Sequence, residues 1–102
     1  MIVNYADSAT EDLFNGCSTK ALRRVLPHNL WRTGAKRLEQ LDSAEQLEDL
    51  RVPPGNRLEP MKGKRRKGQY SIRINDQYRI CFHWTEQGPA EVEVVDYHDE
   101  VK

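Results

Sequence analysis

From Gln69 to Trp84 the side chains alternate, and that alternation leaves one way to lay the segment on a core. Tyr70, Ile72 and Ile74 point one way, while Gln69, Ser71 and Arg73 point the other. Further on, Tyr78, Ile80, Phe82 and Trp84 share a face, and Arg79, Cys81 and His83 share its opposite. Period-two runs rich in β-branched and aromatic residues read as strands. Both apolar sets must meet the same layer, and directly paired residues point to the same side. Ile74 therefore pairs with Tyr78 and Ile72 with Ile80, joined through Asn75-Asp76-Gln77 with a bulge. A strict two-residue turn would put Ile72 and Arg79 on one face, which burial forbids.

The same register sets Arg73 opposite Arg79, on the side turned away from the apolar layer. Directly opposed like charges cost roughly 0.2–1 kcal/mol. Either acids from the neighbouring strand, such as Asp96, neutralise the pair, or the two form a clamp for a phosphate. Guanidinium forks suit that second task.

Around this hairpin the chain divides into helices first and strands after. Ile2–Tyr5 reads as a short first strand. Thr10–Gly16 reads as a short helix with Ser8 or Thr10 as its cap and Gly16 as its stop. Ser18–Leu26 is basic and ambiguous. Pro27 suits the start of the next helix, on which Leu30, Gly34, Leu38 and Leu41 form one apolar face. Ser43-Ala-Glu-Gln46 has the form of a capping box for one more turn, with Ala44, Leu47 and Leu50 inward. Val52-Pro53-Pro54-Gly55 then breaks the chain. Glu91–Tyr97 reads as a last strand after a turn at Glu86–Pro89, and Arg57–Met61 as a short edge strand limited by Pro60. The expected fold class is α+β: one domain over 1–102, with helices on one face of a small, mainly antiparallel sheet. A chain of 102 residues buries roughly two thirds of its extended surface, enough for one core.

Net charge is zero, yet the charges are segregated. Residues 1–50 carry six Lys and Arg against eight acids, residues 51–82 nine against two, and residues 83–102 one against six. A basic middle between acidic ends points to a local polyanion site. Met1–Asp7 has neither the basic start nor the apolar stretch of a secretion signal, no apolar run approaches membrane-spanning length, and Cys17 and Cys81 lie far apart in sequence. The expectation is a reduced, cytoplasmic protein without a disulfide.

Candidate chemistry lies at the end of the last strand, Val94-Val95-Asp96-Tyr97-His98. Metal-independent RNA cleavage needs a base for the 2′-hydroxyl, positive charge at the scissile phosphate and a donor for the departing 5′-oxygen. Arg73, Arg79, Asp96, Tyr97 and His98 could supply all three. Because Val94 and Val95 are both apolar, either Asp96 and His98 or Tyr97 shares the arginine face, unless a bulge near Val94 brings more round. His83, two residues beyond Arg79, is a secondary candidate. His28 and His83 have no ligand at metal-binding spacing, and neither a phosphate-binding glycine loop nor a hydrolase triad is readable.

Three stretches carry a family resemblance: Leu47–Glu59, Gly68–Phe82 and Val92–His98. They resemble, in order and spacing, the HigB-type branch of the RelE/ParE toxin superfamily. The resemblance covers residues 30–98 and fits 1–29 loosely. It implies helices on a twisted antiparallel sheet and a ribosome-dependent endonuclease that cuts mRNA in the ribosomal A site without metal or cofactor. By motif position it implies that Arg73 and Arg79 bind phosphate and that Asp96, Tyr97 and His98 form the terminal cluster. His98 is then the first choice for acid or base. Asn56, Arg57 and Lys62 fall where the family places RNA contacts, and Lys64, Arg65, Arg66 and Lys67 are assigned to RNA backbone. Implied partners are mRNA, the 70S ribosome and a helix-turn-helix antitoxin of the HigA kind, with operator DNA reached through that antitoxin and no membrane involved. ParE-type members, similar in fold, act on DNA gyrase instead, so fold alone does not settle activity.

Overall fold

The computed structural model describes residues 1–100, the last two by backbone alone. Val101 and Lys102 of the domain expected over 1–102 lie outside the described residues.

Local hydrogen bonding sets the helix ends. Helix α1 spans Ser8–Asn15; its cap is the extended Asp7, whose carboxylate accepts from the Thr10 N–H at 2.9 Å. Neither expected cap residue does this work. Thr10 is fully buried instead, its hydroxyl accepting from the Val94 N–H at 3.0 Å. Gly16 stops the helix as expected, in the left-handed region at φ 75°. The ambiguous stretch forms α2, Lys20–Val25, because Thr19 caps it and also donates to Asp12 at 2.8 Å. After Pro27 and one 3₁₀ turn, α3 runs from Trp31 to Ser43 with Gly34, Leu38 and Leu41 buried. A Cβ on Gly34 would sit 3.0 Å from Leu13 and 3.2 Å from Leu26, so this glycine lets α3 approach α1. The box expected at Ser43–Gln46 is replaced by one three residues on, between Gln46 and Asp49. Asp49 accepts from the Glu45 and Gln46 N–H groups, both at 3.0 Å, and opens a 3₁₀ turn at Leu47–Arg51.

The sheet is antiparallel in the order β1 (Glu59–Pro60), β2 (Tyr70–Arg73), β3 (Tyr78–Thr85) and β4 (Gly88–Asp96). Ile72 pairs with Ile80 and Arg73 with Arg79, and the Ile74 N–H bonds the Tyr78 carbonyl at 2.9 Å, as the alternation required. The second turn is shorter than expected: Gly88 and Pro89 already pair with Thr85 and Trp84, and β4 begins three residues earlier. Ile2–Tyr5 does not form a strand of its own. It runs beside β4 with a single parallel bridge, Tyr5 to Val92. The interruption lies at Glu91, in a left-handed conformation at φ 52°, whose N–H is taken by the Asn4 side chain at 2.6 Å.

One face of the sheet packs Ile72, Ile80 and Phe82 against Leu22, Leu26, Leu38, Leu41 and Leu50, all fully buried. Burial of each such side chain contributes about 1.5–3 kcal/mol before chain entropy is counted. The α+β class is therefore the observed one. Among the described residues no helix is long and apolar enough to cross a membrane.

Candidate functional site

The far face of the sheet is where the two arginines stand, and it is not bare. Arg79 is buried in a complete set of partners. Its Nε donates to the Ser71 hydroxyl at 2.8 Å, its Nη2 to the Arg57 carbonyl, and its Nη1 lies 3.5 Å from a Glu59 carboxylate oxygen. The Tyr97 ring closes the remaining side, with the guanidinium carbon 5.1 Å from the ring centre. Burial lowers the Arg79 pKa from its ordinary value, and the nearby Glu59 charge opposes that. Arg73 is half-buried and ion-paired with Asp76 in the hairpin turn. The charge opposition is thus relieved from the turn and from the sheet edge. Asp96 is not the neutralising acid: it pairs in register with Tyr78 and accepts from the Gln77 amide at 2.9 Å.

Register also resolves which end residue joins the arginines. Val95 lies opposite Arg79 and Val94 opposite Ile80, so the next residue on the arginine side is Tyr97. The bulge lies at Glu91, not near Val94, and leaves this alternation intact. Both valines are buried because both sides of the sheet are covered there. The Tyr97 hydroxyl donates to Glu59 at 3.1 Å; burial first, then that bond, raises its pKa above the ordinary tyrosine value. Tyr97, Glu59, Pro60 and Lys62 bound an open cleft of about 330 Å³. His98 follows in the short helix α4, Tyr97–Glu100. It is exposed, its N–H taken by Asp96 at 3.0 Å, and among the described residues its ring makes no bond to either arginine. Arg73, Arg79 and Tyr97 are brought together; Asp96 and His98 stand at the rim.

The basic segment divides by burial. Asn56 is fully buried, its amide donating to the Leu50 and Val52 carbonyls at 3.2 and 3.4 Å, which pins the proline break and leaves it unable to meet RNA. Arg66 is buried in an ion pair with Glu93 at 2.7 Å and bonds Gln69 at 3.3 Å, so it belongs to the framework and not to the RNA-facing set. Arg57, Lys62, Lys64, Arg65 and Lys67 are exposed. His83 lies 3.3 Å from both Glu91 and Gln69, away from the Tyr97 cleft's lining. Among the described residues no group of three His, Cys, Asp or Glu could hold a metal ion.

Glu59 was the residue sequence reasoning missed, and a signal for it existed. Residues 51–82 contain two acids, Glu59 and Asp76, and these are the two that pair with Arg79 and Arg73.

Comparison with known proteins agrees with this architecture. Residues 4–98 match the family described as the RelE-like toxin HigB of type II toxin–antitoxin systems. The chain is 44% identical over 63 residues to Toxin HigB-1 of Vibrio cholerae serotype O1, a match covering 62% of this chain and 65% of that protein. It is 41% identical over 59 residues to an uncharacterised Haemophilus influenzae protein, covering 58% of this chain and 57% of the other. The matched segments thus span less than two thirds of either relative. With 95 consecutive positions inside the family match, the chain belongs to the HigB-like family of RelE-like toxins of type II toxin–antitoxin systems.

Proposed function

We propose that this toxin is a ribosome-dependent mRNA endonuclease acting in the A site without a metal. The observation that carries the reading is the register pair Arg73–Arg79 with Tyr97 packed over the second guanidinium. In the proposed reaction a base removes the proton of the 2′-hydroxyl, and that oxygen attacks the adjacent phosphorus. The bond to the 5′-oxygen breaks, that oxygen leaves with a proton, and a 2′,3′-cyclic phosphate remains. Charge grows on the phosphate oxygens in the transition state, where two guanidinium groups are worth most. Arg73, paired with an exposed acid, can exchange Asp76 for phosphate at little cost. Arg79 exchanges its 3.5 Å contact with Glu59, which frees that carboxylate toward the substrate.

His98, exposed at the rim, is the proposed acid or base, with Tyr97 orienting and Asp96 holding the α4 backbone. Arg57, Lys62, Lys64, Arg65 and Lys67 contact RNA backbone. A helix-turn-helix antitoxin, itself bound to operator DNA, is the proposed partner, and the cytoplasm the proposed compartment.

The test is mRNA cleavage on programmed 70S ribosomes by wild type and by Arg73→Ala, Arg79→Lys and His98→Ala. Losses of about 100-fold or more are expected for Arg73→Ala and His98→Ala, which remove a charge or proton donor, and a smaller loss for Arg79→Lys, which keeps the charge but not the guanidinium fork. Near wild-type cleavage by all three variants would overturn the assignment of the site, whereas arrest accompanied by inhibited DNA supercoiling and intact mRNA would replace the nuclease reading with gyrase inhibition.

A further inference from the structure

Arg37 of α3 reaches across to the sheet, and its Nε donates to the main-chain carbonyl of Arg73 at 3.0 Å. That carbonyl lies on the open edge of β2. Ile74 bonds Tyr78, so the polar groups of Arg73 point away from β3, and β1 pairs no farther along β2 than Ser71. A neutral donor would suffice to cap one carbonyl. A guanidinium brings a second positive charge beside Arg73 and leaves its terminal nitrogens without a hydrogen bond or ion pair among the described residues.

The contrast with the other arginines around the sheet is what gives this weight. Arg66 has Glu93, Arg73 has Asp76 and Arg79 has Glu59. Arg37, half-buried and held by one bond, has no carboxylate partner among the described residues. A fixed, uncompensated guanidinium at the margin of a phosphate site is preorganised for an anion, because its orientation is set before the ligand arrives. Exposed Lys36 beside it on α3 extends the same positive margin.

We propose that Arg37 is an RNA-phosphate-binding residue, carrying the backbone track from the Arg73–Arg79 pair around the open edge of β2 onto α3. The inference rests on the functional reading above and adds a contact to it.

Two substitutions separate a phosphate contact from a structural cap. Arg37→Gln keeps a donor for the Arg73 carbonyl and removes the charge; Arg37→Lys keeps the charge. Cleavage of mRNA on programmed 70S ribosomes is measured against toxin concentration at several salt concentrations. For Arg37→Gln the half-saturating concentration rises about tenfold, as expected for loss of one charged contact. The slope of its logarithm against log salt falls by about 0.7, one single-strand phosphate. Arg37→Lys stays within about threefold of wild type. If Arg37→Gln matches wild type in half-saturation and slope, Arg37 is a cap and the inference fails alone. If wild type cleaves nothing on ribosomes, the functional reading fails and takes this contact with it.

Discussion

Arg73 and Arg79 face each other across β2 and β3, yet they occupy different environments: Arg73 pairs with an exposed acid in the turn, while Arg79 is sealed among Ser71, Arg57, Glu59 and Tyr97. Side chains of one type in one register therefore carry different structural weight.

The two arginines should separate in stability. Arg79→Ala removes donors from the Ser71 hydroxyl and the Arg57 carbonyl and leaves Glu59 without its cation. A loss of about 1–3 kcal/mol is expected. Arg73→Ala gives up one ion pair with an exposed aspartate, and its cost should stay within about 0.5 kcal/mol. Urea midpoints of the two variants check the contrast, and equal midpoints would refute it.

Glu59→Gln should lower the Tyr97 pKa while leaving it above the ordinary tyrosine value. Burial, the largest cause of the rise, persists, while the negative charge that also raises it is gone. Ultraviolet titration with Tyr97→Phe as the reference isolates the one phenol. A rise in the variant would contradict the assignment.

Within the basic run, Arg66→Ala should unfold more easily by about 1–3 kcal/mol, since Glu93 loses a buried partner and Gln69 a donor. Substitution of Lys64, Arg65 or Lys67 by Ala should leave the melting temperature nearly unchanged, because all three are exposed. Each should instead weaken RNA contact and flatten its salt dependence. Thermal melts beside salt titrations distinguish the two classes.

Alkaline stability should report on Tyr5. Burial, then the charges of Asp42 and Glu11, pushes its pKa up to about 12. The folded state then holds a proton that the unfolded chain releases near its ordinary value of about 10. Tyr5 therefore stabilises fully below pH ~10, and that contribution is lost as pH rises toward ~12. Tyr5→Phe should flatten the decline of urea midpoints across this window, and an unchanged decline would exclude Tyr5 as its source.

Strand alternation made the hairpin legible before any coordinates: the positions of Ile72, Ile80 and Phe82 forced the pairing of Arg73 with Arg79. Helix ends were less legible. The sequence offers Ser8 or Thr10 as the cap, but Asp7 takes that place and Thr10 is engaged instead by the Val94 N–H on a distant strand. The start of β4 was hidden by Gly88-Pro89, which reads as a turn until the pairing with Trp84 and Thr85 is seen.

What local pattern could establish, then, was the layer order, the hairpin register and the identity of the basic segment, since each follows from which neighbours along the chain must share a face. Burial of charge was beyond it. Whether Asn56 and Arg66 meet solvent, whether Glu59 reaches Arg79, and whether Arg37 caps the Arg73 carbonyl depend on chain crossings between residues as much as 36 positions apart. A cation on a strand looks the same in sequence whether it faces water or a carboxylate, because the electrostatic cost of burying it is settled by the partner that folding delivers.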